Sequence, residues 1–389
     1  MRKEWTEMSE IYKAKRVILS QEDLSDAYVE VADGKFVGIY TELEEGRDYV
    51  DLGEVTLAPG LFDLHIHGFL GHDVMDADPQ GLAAIAEGLL SCGVTSWLPT
   101  TLTAPTEELN QVCQMIGDTA PHLSGAKVQG IFLEGPFFTE KYKGAQNPNY
   151  MLDPEIDQLK NWRQLSKGLV NRIGIAPERE GAVDFVKAAK DLGVHVGLGH
   201  SNASYDQAKA CHEAGADFFV HTYNGMSGLH HREPGMVGAA LSFKEVYAEL
   251  ICDGYHVHPR AAQILVDQRG PKESLLVTDC MRAGGLADGP SKLGEFEVIV
   301  KDGAARLKEG GNLAGSILEL KTAVKHVVEW GLASVSEAVR MASYYPTKSL
   351  GLENVCGQIK PGLDADFIIL DENLDLKATY LKGECRYQA

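Results

Sequence analysis

The chain has 389 residues, 44% of them apolar, enough to bury one large core and a smaller companion. Lys and Arg number 36 against 56 Asp and Glu, a net charge of −20, which excludes general binding to nucleic acid or to an anionic membrane, since both need a basic surface. A phosphorylated small molecule is not excluded, because one Arg can hold a phosphate whatever the global charge. The seven cysteines are widely spaced and form no CxxC, the pattern of reduced thiols in a cytoplasmic protein. Residues 1–10 lack the apolar stretch of a secretion signal, and no run of about 18 apolar residues occurs to span a membrane.

In chain order, residues 28–31, the Asp33-Gly34 turn and residues 35–39 read as a hairpin. A strand over 61–64 follows, then a helix whose Leu82, Ile85, Ala86 and Leu89 share one face, then a strand over 94–98. Further strands are predicted at 128–133 and 172–175. A helix carrying Ala182, Val183, Val186 and Ala189 precedes strands at 194–198, 218–220 and 247–252. His258-Pro259 opens another helix, with Pro at its first position, before an eighth strand at 275–277. Helices near 317–330 and 335–344 lead to a strand over 366–370 and a hairpin over 378–387 around Lys382-Gly383. The alternation predicts an α/β chain: a (β/α)8 TIM-like barrel over 58–351. The strand-rich ends, 1–57 and 352–389, predict a small β-sandwich domain built from both termini.

Residues at the carboxyl ends of barrel strands converge on one face. There the first strand supplies His65 and His67, the third Glu134, the fifth His200, the sixth His221 and the eighth Asp279. Taken singly, each has an ordinary structural reading: a packed imidazole, a strand terminator, a cap of the next helix or turn. Together they form a set of neutral nitrogen and anionic oxygen donors suited to a divalent metal. Strand alternation puts His65 and His67 on one face. One site would use Glu134, His200 and His221; a second would use His65, His67 and a bridging Glu134, with Asp279 beside the water to be activated.

The segment Pro59-Gly60-Leu61-Phe62-Asp63-Leu64-His65-Ile66-His67-Gly68 resembles the first-strand signature of the amidohydrolase superfamily, and 357–366 resembles its carboxyl-terminal signature. Leu133-Glu134-Gly135-Pro136-Phe137, 221–227, 230–235, 253–259, 278–283 and Leu313-Ala314-Gly315-Ser316 are similar, in order, to motifs of N-acetylglucosamine-6-phosphate deacetylases. The resemblance implies a phosphorylated amino sugar as substrate, hydrolysis of its acetamide, and Asp279 as general base and then acid. It implies one or two divalent ions per subunit, of zinc, iron or manganese. Substrate contacts would come from Asn224, Gly225, Arg232, His256, Ala145, Gln146 and Leu313, with Arg232 acting in its own subunit or in the partner's of a homodimer. Fourth-strand residues 171–178 contain no Lys to carry a bridging carboxylate, and the resemblance implies that Glu134 can fill that role instead. Gln146 stands where some members have a His. The alternative is another metal hydrolase of the superfamily, acting on a different acylated amino sugar or a cyclic amide.

Overall fold

The structure, a computed structural model, describes residues 9–389; most of the segment on which the absence of a secretion signal was read, residues 1–8, lies outside them. Eight parallel strands form the barrel: β1 (Leu61–Ile66), β2 (Val94–Thr101), β3 (Ile131–Phe137), β4 (Val170–Ile175), β5 (His195–Leu198), β6 (Phe218–Phe219), β7 (Tyr247–Leu250) and β8 (Ser274–Leu276). Every residue of β1, β2 and β3 is buried, as expected for strands packed on both faces. The ring closes just beyond β8, where Ile66 bridges Cys280 and the Asp279 N–H donates to the His65 carbonyl at 2.8 Å.

Helices cover the outside. Pro79–Leu89 starts on Asp78, whose carboxylate accepts from the Gln80 and Gly81 N–H groups, and it buries Leu82, Ile85, Ala86 and Leu89 against the barrel. Tyr205–Ala214 is opened by a Ser204–Gln207 capping box. Two expectations need correction. The strand expected at 128–133 is broken: Lys127–Val128 pairs with β2, and β3 starts at Ile131. Gly130 sits in the break because a Cβ there would lie 2.1 Å from the Asn171 side chain. The helix expected over 335–344 is two helices, Val335–Met341 and Tyr344–Ser349.

The terminal regions form one hydrogen-bonded sheet from Glu10–Ile18, Asp23–Ala32, Lys35–Tyr40, Val50–Asp51, Thr56–Pro59, Phe367–Leu370, Leu376–Leu381 and Glu384–Gln388. It curls until Ala365 N–H donates to the Gly34 carbonyl at 2.8 Å, enclosing Tyr12, Val29, Phe36, Leu57 and Phe367. Thr56–Pro59 joins strands from both ends of the chain and leads straight into β1. A three-stranded sheet, Gly289–Leu293, Phe296–Lys301 and Ala304–Leu307, was not anticipated; it packs Leu293, Val298 and Val300 on Leu102 and Met281 beside the barrel mouth. Among the described residues no helix is long and apolar enough to cross a membrane. All seven cysteines are free, and only Cys385 is exposed.

Candidate active site

Glu134 lies on β3, His65 lies on β1 and His67 directly follows it. His200 and His221 each lie two residues past β5 and β6, and Asp279 lies three past β8. The last three adopt positive φ, 43°, 28° and 49°, which is costly for side chains of this kind by about 1–3 kcal/mol each. Backbone bonds hold the turns: Ser201 N–H to Gly225 O at 2.9 Å, Thr222 N–H to Glu249 O at 2.9 Å, Ser316 N–H to Asp279 O at 2.7 Å. The sharp turn after each short strand is what aims the side chain inward.

The six residues form two adjoining trios, Glu134–His200–His221 and His65–His67–Asp279, each with its donor atoms within 4.8 Å of one another. Glu134 Oε1 is 3.1 Å from His200 Nε2, 3.0 Å from His221 Nε2 and 3.5 Å from His65 Nε2; its Oε2 is 3.4 Å from His67 Nε2. Asp279 Oδ1 is 3.1 Å from His67 Nε2 and 3.6 Å from His65 Nε2. One carboxylate thus stands between the two trios, the place a bridging ligand would occupy. Asp279 shares the second trio directly.

A second layer orients the rings. His65 Nδ1 faces Glu249 Oε2 at 3.0 Å, His67 Nδ1 the Thr100 carbonyl at 3.1 Å, and His200 Nδ1 the Tyr142 carbonyl at 2.9 Å. Acceptors at Nδ1 place the proton there and leave the Nε2 lone pair aimed at the cluster, the arrangement typical of metal-binding imidazoles. His221 Nε2 is also 3.0 Å from His200 Nε2, so two ring nitrogens and a carboxylate oxygen converge on one point. A buried donor set of this kind fits a divalent cation. The same carboxylates also favour a proton on the set, which a cation would have to displace. Burial depresses the His67 imidazole, but hydrogen bonds to Asp279 and Glu134 lift it well above its ordinary range. Burial raises Glu134 and Asp279, and the surrounding imidazoles, His65 foremost, more than reverse that.

A cavity opens over the cluster. Ala145, Gln146, Asn224, Gly225, His256 and Leu313 line it, as do Leu102 and Leu293, which the sequence did not single out. Asp253 Oδ2 holds His256 Nδ1 at 2.6 Å, leaving Nε2 as the unengaged ring nitrogen. Gln146 donates from Nε2 to Glu134 Oε2 at 2.5 Å and accepts from the Thr103 N–H at 2.7 Å. Arg232 is not brought to this cavity: it is exposed, with Nη1 2.8 Å from His231 Nε2. Two supporting residues escaped the sequence reading, Glu249 and Arg172, joined at 2.8 Å beneath the cluster. Their signal was present as a lone charge inside each of two apolar barrel strands, where it must find a partner.

A parallel barrel with such a donor set on its rim defines a class, the barrel hydrolases whose active site can hold a divalent metal. A model of the Amidohydrolase family matches residues 56–386. The chain is 38% identical to the N-acetylglucosamine-6-phosphate deacetylase of Vibrio furnissii, over 97% of this chain and 95% of that protein. It is 39% identical to the N-acetylgalactosamine-6-phosphate deacetylase of Escherichia coli O157:H7, over 97% of this chain and 99% of that protein. Its fold is similar, with a TM-score of 0.93 and 29% identity over 98% of this chain and 100% of the other, to the N-acetyl-D-glucosamine-6-phosphate deacetylase of Mycobacterium smegmatis solved with N-acetyl-D-glucosamine-6-phosphate. The chain belongs to the amidohydrolase family, among the relatives of N-acetylglucosamine-6-phosphate deacetylases that its motifs pointed to.

Proposed function

We propose that this chain hydrolyses the acetamide of N-acetylglucosamine 6-phosphate to acetate and glucosamine 6-phosphate, with catalysis in the 58–351 barrel. The observation that carries the reading is the pairing of the two donor trios with a cavity walled by Asn224, Gly225, His256 and Leu313. Glu134, His200 and His221 would hold one cation, and His65 and His67 with Glu134 a second; zinc, iron and manganese all suit these donors. When bound, the cation supplies Lewis acidity, acidifying water and offsetting the charge that develops on the carbonyl oxygen.

The chain's own groups do the rest. Asp279, ionised and pointed at the cluster, takes the proton of the attacking water on a carboxylate oxygen. It then delivers that proton to the amide nitrogen as the C–N bond breaks, so one group is base and then acid. His256 offers Nε2 to the sugar, oriented by Asp253. Gly225 lets the loop approach closely, since a Cβ there would lie 2.9 Å from His200 Nδ1. The phosphate needs a cation that this cavity lacks among its lining residues, and the exposed Arg232 of a partner subunit would supply it. We therefore read the protein as a homodimer, and its free thiols and acidic surface as those of a cytoplasmic enzyme.

A second reading, N-acetylgalactosamine 6-phosphate as substrate, is favoured by the 39% identity to the Escherichia coli relative. The two sugars differ only at C4. Acetate release measured on both phosphorylated sugars and on unphosphorylated N-acetylglucosamine separates the cases. The proposal expects kcat/KM to be highest for the glucosamine derivative and lowest for the unphosphorylated sugar. Higher turnover of the galactosamine derivative would hand the assignment to the second reading.

A further inference from the structure

Gln146 is 3% exposed and lies in the loop after β3, yet both ends of its amide are engaged. The orientation of that amide is decided by its neighbours. The Thr103 N–H can only donate, so it faces Oε1; the Nε2 group must then face Glu134 Oε2, an anionic acceptor. The Gln146 side chain is therefore a strut between the backbone after β2 and the carboxylate at the centre of the cluster.

The strut matters because of how Glu134 is used. Its Oε1 serves His200 and His221 and its Oε2 faces His67 and Gln146. Rotation about the last carbon–carbon bond of a glutamate is broad and nearly two-fold, so an unheld carboxylate samples other settings of its two oxygens. Among the described residues, Gln146 is the one side chain other than the imidazoles that is hydrogen-bonded to this carboxylate. The same loop is tied a second time, where the Tyr142 carbonyl accepts from His200 Nδ1. Loop and cluster thus order each other.

We propose that Gln146 is a positioning residue that locks Glu134 in the setting required to hold the cation at the Glu134–His200–His221 trio. Its contribution is to metal affinity and coordination geometry. The inference rests on the reading of that trio as a metal centre.

The test uses the full-length chain stripped of metal by a chelator and titrated with cobalt(II), followed by visible absorption and by competition with a coloured chelator. Q146M keeps the volume of the side chain and removes both hydrogen bonds; Q146A serves if Q146M does not fold. Loss of a hydrogen bond that orients a ligand typically weakens metal binding about ten- to a hundredfold, and that is the change expected here. The cobalt absorption band should also shift in position or intensity, which a merely structural role for the loop would not produce. Unchanged affinity and spectrum in a folded variant overturn the role of Gln146 while leaving the metal centre intact. Failure of the unaltered chain to take up cobalt overturns both.

Discussion

His65 and Glu249 are joined at 3.0 Å beneath the donor cluster, and the same Glu249 oxygen accepts the His221 backbone N–H at 3.0 Å. One carboxylate, fully buried, therefore touches residues of both trios. Its other oxygen pairs with Arg172 at 2.8 Å, whose guanidinium lies 3.6 Å from the centre of the Phe218 ring. The floor of the site is a buried ion pair whose guanidinium lies over the Phe218 ring.

Breaking that pair leaves an uncompensated charge in the barrel. E249L and R172M should each destabilise the chain by about 3–5 kcal/mol, whereas the double substitution should cost much less than the two together, because no charge is stranded. Urea unfolding of the three variants checks this. Strictly additive losses would mean that the pair is not coupled.

Asp279→Asn preserves shape but cannot accept a proton. A general base and acid contributes typically about a hundred- to ten-thousand-fold, and kcat should fall within that range. Cation content at the Glu134–His200–His221 trio should stay at the wild-type level, measured by elemental analysis. Turnover at the wild-type rate would remove Asp279 from proton transfer.

Arg232 lies outside the cavity of its own chain. If the partner's Arg232 holds the substrate phosphate, Arg232→Ala should raise KM for the phosphorylated sugar about ten- to a hundredfold, the worth of a charged hydrogen-bonded contact. KM for the unphosphorylated sugar should hardly move. Equal effects on both substrates would rule out a phosphate contact.

Burial alone would raise the Asp253 carboxyl, but the His256 hydrogen bond and charge, with the His256 and Tyr255 N–H groups, hold it below its ordinary value of 3.8. The unfolded chain thus binds its proton more readily than the folded one, so this group adds stability above about pH 3.8 that fades as the pH falls through the folded value. Asp253→Asn in chelated protein should be less stable than the parent at pH 6, and the gap should narrow at pH 3. A gap that widens in acid would contradict the assignment.

Much of the site was legible because its chemistry is written at strand ends. His65, His67, Glu134, His200, His221 and Asp279 each follow or close an apolar run, and a barrel leaves such residues one place to go. Glu249 and Arg172 were harder. Each is a single charge within a strand, and only the ring closure shows that strands β4 and β7 aim them at one another across the barrel interior. The sheet over Gly289–Leu293, Phe296–Lys301 and Ala304–Leu307 was missed because its strands are short and half-exposed, and the outward-facing Ile299 hides the alternation of Phe296–Lys301.

The order of apolar runs and helical faces in this chain was enough to define the barrel, the terminal sheet and the donor residues, because periodicity and burial are local properties of sequence. Tertiary structure alone decided which oxygen of Glu134 faces which imidazole, that Gln146 donates a hydrogen bond to it, and that Arg232 stands outside its own cavity. Those relationships depend on distances of a few ångströms between residues remote in the chain, set by how loops fold back over the strand ends.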